Sequence, residues 1–422
     1  MRRGVLFIAF ALAVACTSGT PEPDSDGTWV GTITTEGSVT TVVNESGSVW
    51  GGVATLVEEL SIGVDRGEPP YMFGQVASIW ATDESIYVVD AQVPAVHVYD
   101  RQGRYLRDIG RPGQGPGEYQ RPGSVAVLPD GRVLVREYSS GTRIGVYSAQ
   151  GETLDTWYGE MLFGMSTPPV VSYDGEYFTQ TLGATPEERE QQKAGMARAG
   201  ADGIEGPLRL FPQLEEPRHP DLRAGNASLG IPLWPGSRAV MLPSGAMVAG
   251  VADQHRLVMD RPDGTRLVIE RPIDPLPVSD EEWEWHRRRM IARGRGMDPS
   301  FDWSGDGLPR THPAFTALLA DRSRRIWVLR PARIIRETDC TEDPLDESSS
   351  PTVPCFTRED VADVFDEESG KLLGEVAFPS AVHPADLSVP FIRGTELYTA
   401  VEDAAGTIMV KRYRLVLPEE EQ

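Results

Sequence analysis

Four carboxylates stand at matching places in this chain. Asp90, Glu137, Asp253 and Glu402 each follow a short run of Val, Ala, Leu or Tyr: IYVVD, RVLVRE, AMVAGVAD and ELYTAVE. Acids that recur at the same point of a repeated unit converge where the units meet, and their oxygens suit a hard cation such as calcium. The competing use is local, since an acid at the end of a strand also accepts hydrogen bonds from its own turn. A second candidate is the loop GQGPGEY (113–119), flanked by Arg111 and Arg121. It is rich in glycine like a phosphate loop. However, it lacks the Lys-Ser/Thr pair and the GxGxxG spacing, and it opens a strand rather than a helix. It therefore reads as a tight connection between units, in which Arg111, Glu118, Tyr119 and Arg121 are the side chains able to reach a ligand. The six histidines (97, 219, 255, 286, 312 and 383) show no metal-ligand spacing, and no GxSxG is present to nominate a nucleophile. No catalytic residue is assigned.

The elements that must carry these residues are strands. Residues 76–121 read as one antiparallel unit: a strand ending near Trp80, a turn at Asp83-Glu84, IYVVD, AVHVYD, a Gln102-Gly103 turn and RYLRDIG. Short runs of β-branched and aromatic residues between Gly, Asp and Pro are the signature of hairpins. The inner hairpin recurs at 124–137, 170–181, 239–251, 315–330 and 389–401, with Gly131, Gly175, Gly245 and Gly394 in four of the turns. An outer hairpin recurs as RIGVYSAQGETLDTWYG, HRLVMDRPDGTRLVIE and VADVFDEESGKLLGEVAF. Repetition at about 40–50 residues predicts stacked blades, and radial repetition protects their edges. Six inner hairpins predict six blades. The last lacks an outer strand, which VATLVEELSIG (53–63) would supply by closing the ring from the other end of the chain. A weaker pair, SVTTVV with SVWGGVATLV, is expected to lead into it.

On IYVVD…VHVYDRQGRYLRDIGRPGQGPGEY (86–119), LPDGRVLV (128–135) and RIGVYSAQG (143–151), the chain resembles the bacterial six-bladed propellers related to NHL repeats, many of them predicted lipoproteins. The resemblance spans roughly 50–417 and is strongest in the first two blades. NHL units carry Asp, then Asn, then Arg-Ile; here Asp90 lacks the last two, and Arg143-Ile144 follows Glu137. Propeller lactonases and gluconolactonase-like hydrolases hold a metal with a related ring that includes asparagines, and this chain has only Asn44 and Asn226.

Residues 1–15 have the form of a signal peptide, with two arginines and an apolar run too short to span a bilayer. LAVAC (12–16) resembles a lipobox, which makes Cys16 the lipidation site and the outer membrane the expected destination. Residues 16–50 are read as tether and linker, and 51–418 as the propeller. Cys340 and Cys355 remain as a pair, and in an exported chain they read as a disulfide worth about 3 kcal/mol. With 63 acidic and 40 basic residues, no concentrated basic surface suits nucleic acid.

The long excursions all fall in connections between second and third strands, or between one blade and the next. Both kinds of connection lie on the same side of the disc. They include TPEEREQQKAGMARA (185–199), read as a helix capped by Thr185; the Pro-rich 212–235; and SDEEWEWHRRRMIARG (279–294). The last is read as a helix with Ser279 and Glu282 as capping box and Gly294 as stop. Of Trp283 and Trp285, which do not share a helix face, one is expected to anchor the helix and the other to be exposed. Repeat proteins gather insertions on the binding face. The expectation is thus an all-β, six-bladed propeller, exported and lipid-anchored, that binds a protein, peptide or glycan on its insertion face. The alternatives are a calcium-dependent lactonase-like hydrolase using the acidic ring, and a scaffold of the cell envelope.

Overall fold

The computed structural model describes residues 29–137, 142–159, 168–182, 187, 194–345, 353–378, 389–403 and 405–418. Residues 1–28, which hold the segment read as a signal peptide, the first part of the expected tether and Cys16, lie outside them. Six antiparallel blades follow one another along the chain, the last two joined where Glu375 and Val376 pair in parallel with Val53 and Ala54. Blade 1 is Val76–Ala81, Ser85–Asp90, Ala95–Asp100 and Tyr105–Asp108; blade 2 is Pro122–Val127, Val133–Glu137, Thr142–Tyr147 and Thr153–Gly159. Blade 3 is Val170–Val171, Tyr177–Leu182, Ala194–Gly200 and Gly203–Arg209; blade 4 is Ser237–Met241, Met247–Val251, Arg256–Asp260 and Arg266–Glu270. Blade 5 is Ala317–Ala320, Arg325–Arg336, Phe356–Asp366 and Leu372–Ala377. Blade 6 is Phe391–Arg393, Glu396–Glu402 and Ile408–Val416, with Val53–Ile62 as its fourth strand.

Each blade is covered by its neighbours on both faces, which explains why its middle strands are nearly unbroken apolar runs. Every residue of Ser85–Asp90 is buried, whereas the outermost Tyr105–Asp108 alternates half-buried and exposed. Full burial of each Val, Ile or aromatic side chain stabilises the fold by about 1.5–3 kcal/mol. The inner hairpins turn at Gly131, Gly175, Gly245 and Gly394, with φ of 86°, 84°, 87° and 61°, a conformation that glycine adopts without a Cβ penalty.

The ring closes with strands from both ends of the chain, as expected: Thr55 pairs with Val416 and Ile62 with Val410, antiparallel. The residues before that strand behave differently from the sequence reading. Val30–Glu36 pairs with Val39–Ser46, and the latter runs parallel to Arg266–Glu270. The hairpin therefore enlarges blade 4 to six strands, and residues 30–46 belong to the propeller rather than to a linker ending at 50. One polar residue fixes it. Asn44, 2% exposed, accepts from Trp29 Nε1 (2.8 Å) and Leu372 N (2.7 Å) and donates to the carbonyls of Glu270 and Gly370 (3.2 Å each). Val49 N and Trp50 N then bond to Leu372 O and Leu373 O. Residues 29–62 thus strap blades 4, 5 and 6 together.

Blade 3 also corrects a sequence reading. Ala194–Gly200, expected as the end of a helix, is its third strand, pairing Phe178 with Arg198 and Leu182 with Ala194. Thr185, Pro186 and Glu188, the proposed cap, lie outside the described residues. The helix α1 (Asp280–Arg295) does form.

Candidate functional site

The four acids do not meet. Asp90 is fully buried and spends its carboxylate on its own surroundings, accepting from the backbone N–H groups of Gly74 (2.6 Å), Gln75 (3.1 Å), Gln92 (2.9 Å) and Val93 (3.0 Å). Glu137, 3% exposed, accepts from Gln120 N (2.6 Å), Arg121 N (3.3 Å) and Arg143 Nε (2.9 Å). Asp253 and Glu402 are exposed. Among the described residues, the only group of three metal-type side chains with ligand atoms within 4.8 Å of one another is Cys340, Glu342 and Cys355. Its two sulfurs are already joined as the expected disulfide. The acidic ring of the sequence reading is therefore dispersed, with Asp90 and Glu137 serving their neighbouring loops.

The loop at 111–121 is closed by its own side chains. Arg111 pairs with Glu118 (2.8 Å), whose other oxygen accepts from Gly115 N (2.9 Å). The Gly115 N–H and the Arg111 guanidinium hold the Glu118 carboxyl below its ordinary range. Tyr119 is 2% exposed; its hydroxyl donates to Ile109 O (2.6 Å) and accepts from Val96 N (2.9 Å). Burial pushes that phenol up. Arg143 completes the loop by donating to Gln114 O (2.9 Å) and Glu118 O (2.5 Å). The cavity beneath, lined by Glu118, Tyr119, Glu137, Arg143 and Tyr147, holds about 10 Å³, room for one water. Of the four side chains expected to reach a ligand, Tyr119 points into the core and Glu118 is engaged. Arg111 is exposed apart from that pair, and Arg121 is exposed. The structure does not gather them into a site.

The larger construction is a cap. Residues 210–236 leave blade 3, 271–316 leave blade 4, and 337–345 and 353–355 adjoin the two long strands of blade 5, all on one side of the disc. Ala224, Leu229 and Ile231 from the first pack with Met290, Ile291, Phe301, Trp303 and Leu308 from the second, and Leu345 from the third joins them. Loops of three blades therefore share one apolar core. Ser279 caps α1, accepting from Glu282 N (3.1 Å), but the helix runs past Gly294 to a cap at Gly296. Gly294 is a contact rather than a stop, since a Cβ there would stand 2.2 Å from Phe301. Both tryptophans are packed. Trp285 is 5% exposed and donates to Thr341 O (2.9 Å), while Trp283 donates to Leu308 O (3.3 Å) beneath Arg310.

Two buried ionic clusters escaped the sequence reading. Glu282, expected to complete the capping box, instead lies 3.0 Å from His312 Nε2 and 3.7 Å from His286 Nε2. Burial pushes its carboxyl up, but the hydrogen bonds and charges of both histidines win and hold it at about 2. Only the i,i+4 spacing of Glu282 and His286 was visible in the sequence. Between blades 4 and 5, the fully buried Asp363 lies 2.8 Å from His255 Nε2, 2.5 Å from Arg271 and 3.0 Å from Arg330; the two arginines share Glu375. Each cluster is paired internally.

No helix among the described residues is long and apolar enough to cross a membrane. Residues 70–158 match the family model DUF5128, described as a 6-bladed beta-propeller. A search of curated proteins finds no match. Among solved structures, a member of the duf4221 family from Bacteroides vulgatus is similar at 11% identity and TM-score 0.48, over 86% of this chain and 99% of that one. Virginiamycin B lyase from Staphylococcus aureus is similar at 11% identity and TM-score 0.37, over 85% and 98%. YCF48 bound to D1 peptide is similar at 11% identity and TM-score 0.34, over 82% and 79%. The order of the sheets, the strand Val53–Ile62 that closes the ring and the family match over 70–158 together make the chain a six-bladed β-propeller.

Proposed function

We propose that this propeller is an exported binding module, anchored to the outer membrane through lipid on Cys16, that takes an acidic protein segment on its cap and does no chemistry of its own. One observation carries the reading. On a chain of net charge −23, the cap helix carries Arg289 and Arg293 one turn apart, exposed and without a carboxylate partner among the described residues, while Arg287 and Arg288 of the same helix pair with Glu284 and Asp343. Met297, 50% exposed, stands just beyond the helix end. The cap's own apolar core supports this row on a rigid base, as a recognition surface requires, and cations displayed against an acidic background attract an acidic partner.

The test is an array of Asp/Glu-rich and neutral peptides probed with the intact chain and with the double variant Arg289→Glu/Arg293→Glu, whose melting midpoint serves as the folding control. Retention of acidic peptides, weakened about tenfold or more in the double variant, supports the reading. Absence of retention, or equal retention by both proteins, overturns it. Calcium titration of the same protein addresses the hydrolase alternative, because a melting midpoint that rises with calcium requires a native-state site.

A further inference from the structure

The opposite side of the disc carries the short turns, and one of them reaches across the axis. In blade 5 the turn after Ala320 is held by Asp321, 1% exposed, which accepts from Ser323 N (2.6 Å), Arg325 N (3.1 Å) and Trp327 Nε1 (3.0 Å). Arg324 lies in the left-handed region at φ 57°, which costs a residue with a Cβ and is retained here by its neighbours. Its N–H donates to Tyr173 Oη of blade 3 (3.2 Å). Ser323 Oγ accepts from Gly394 N (2.8 Å) and Arg322 N donates to Ile392 O (3.1 Å), tying the turn to blade 6.

So fixed, the turn sends out Arg322. Its guanidinium carbon lies 5.3 Å from the ring centroid of Trp80 in blade 1, and Nη1 donates to Val171 O in blade 3 (2.8 Å). Blades 1, 3 and 5 alternate around the ring, so one side chain touches all three only by crossing the central channel. Arg322 is half-buried, and no acid among the described residues pairs with it. The charged neighbour that acts on it is Arg393, itself paired with Asp83 (2.9 Å), and the remaining polar neighbour is the Tyr173 phenol. Burial, followed in weight by the Tyr173 and Arg393 interactions, leaves its pKa below the ordinary arginine value.

Elsewhere in this molecule the guanidinium edge formed by Nε and Nη2 binds carboxylates in the bidentate manner. Arg333 holds Glu359 that way (2.9 and 2.7 Å), and Arg266 holds Asp260 (2.6 and 2.9 Å). On Arg322 the same edge has no acceptor among the described residues. That edge stays open to a ligand on a half-buried cation held from two other sides, and the planar fork matches a carboxylate. We infer that Arg322, backed by the indole of Trp80, is the floor of an axial site for a carboxylate ligand.

The experiment titrates carbon-13-labelled acetate into the intact chain and follows its resonance, with sodium chloride at equal ionic strength as control. Wild-type protein is expected to shift and broaden the signal saturably. Arg322→Gln is expected to abolish the effect, and Arg322→Lys, which keeps the charge and loses the fork, to weaken binding about tenfold or more. Melting midpoints verify that both variants fold. Absence of saturable binding to wild type, equal binding to Arg322→Gln, or equal competition by chloride overturns the inference. None of these outcomes depends on what the cap binds.

Discussion

Arg143 and Arg322 both donate to backbone carbonyls, and they differ in what meets the rest of the guanidinium. Arg143 gives hydrogen bonds to Gln114 O and Glu118 O, and its Nε–Nη2 edge is filled by the buried Glu137. Arg322 donates to Val171 O and lies over Trp80, with the same edge empty. The first arrangement is complete, and it locks the loop at 111–121 to blade 2. The second is a cation held in place by a strained turn and left without its counterion. Partial burial and a carbonyl partner are common to both, so the presence of a carboxylate is what separates a staple from a candidate binding group.

The contrast breaks most readily at Glu137. Glu137→Ala strands the Arg143 charge and leaves the N–H groups of Gln120 and Arg121 unpaired. A loss of about 3–5 kcal/mol is expected in urea unfolding. A loss below about 1 kcal/mol would mean that carbonyls alone satisfy Arg143, and the distinction from Arg322 would collapse. The inter-blade cluster sharpens the same point through pH. Burial pushes the Asp363 carboxyl up, but the hydrogen bond from His255 and the charges of His255, Arg271 and Arg330 prevail and hold it at about 2, against an ordinary 3.8. A depressed folded-state pKa contributes stability that is complete above the ordinary value and lost as pH falls through the folded one, here about 2 kcal/mol. Unfolding free energies measured between about pH 5 and pH 2 should fall in wild type and fall less in Asp363→Asn. Equal slopes would remove Asp363 from the acid limb. Arg322→Gln should have the smallest effect, about 1 kcal/mol or less, because only the bond to Val171 O and the contact with Trp80 are lost and no carboxylate loses a partner. A large destabilisation would make Arg322 a structural plug.

Much of the architecture was legible because hairpins write themselves in a period of two with glycine at the turn. The inner hairpins followed from that alone, and the closing strand, read at 53–63, from the outer strand that the sixth blade lacks. Val30–Glu36 was hidden because VGTITTE is threonine-rich and half-exposed at the rim, which reads as tether. AGMARAG was hidden by its helix-favouring composition, overridden by burial against blade 4, where Met196 packs with Met241 and Met247. The side chains of α1 were found, but not their partners. Glu282 meets His312, thirty residues away in sequence, and such meetings are created by loops of different origin folding together. Arg322 was invisible for the same reason in stronger form, since its interest arises only when three non-adjacent blades surround one axis.

The strap of residues 29–62 imposes an order on folding. In a chain made from its amino end, Trp29, Asn44 and the strand 53–62 exist before any blade they join, yet their partners lie at Glu270, Leu372 and Val416. Lys411 meets Glu58 across 353 residues. Contacts of such separation are slow to form, so the earliest part of the propeller waits with an unpaired edge until the last strand is made. The ring can close only once Ile408–Val416 has been made. A product lacking that strand would therefore lose the seam that completes blade 6 and would expose two edges, which ties the solubility of the propeller to Ile408–Val416.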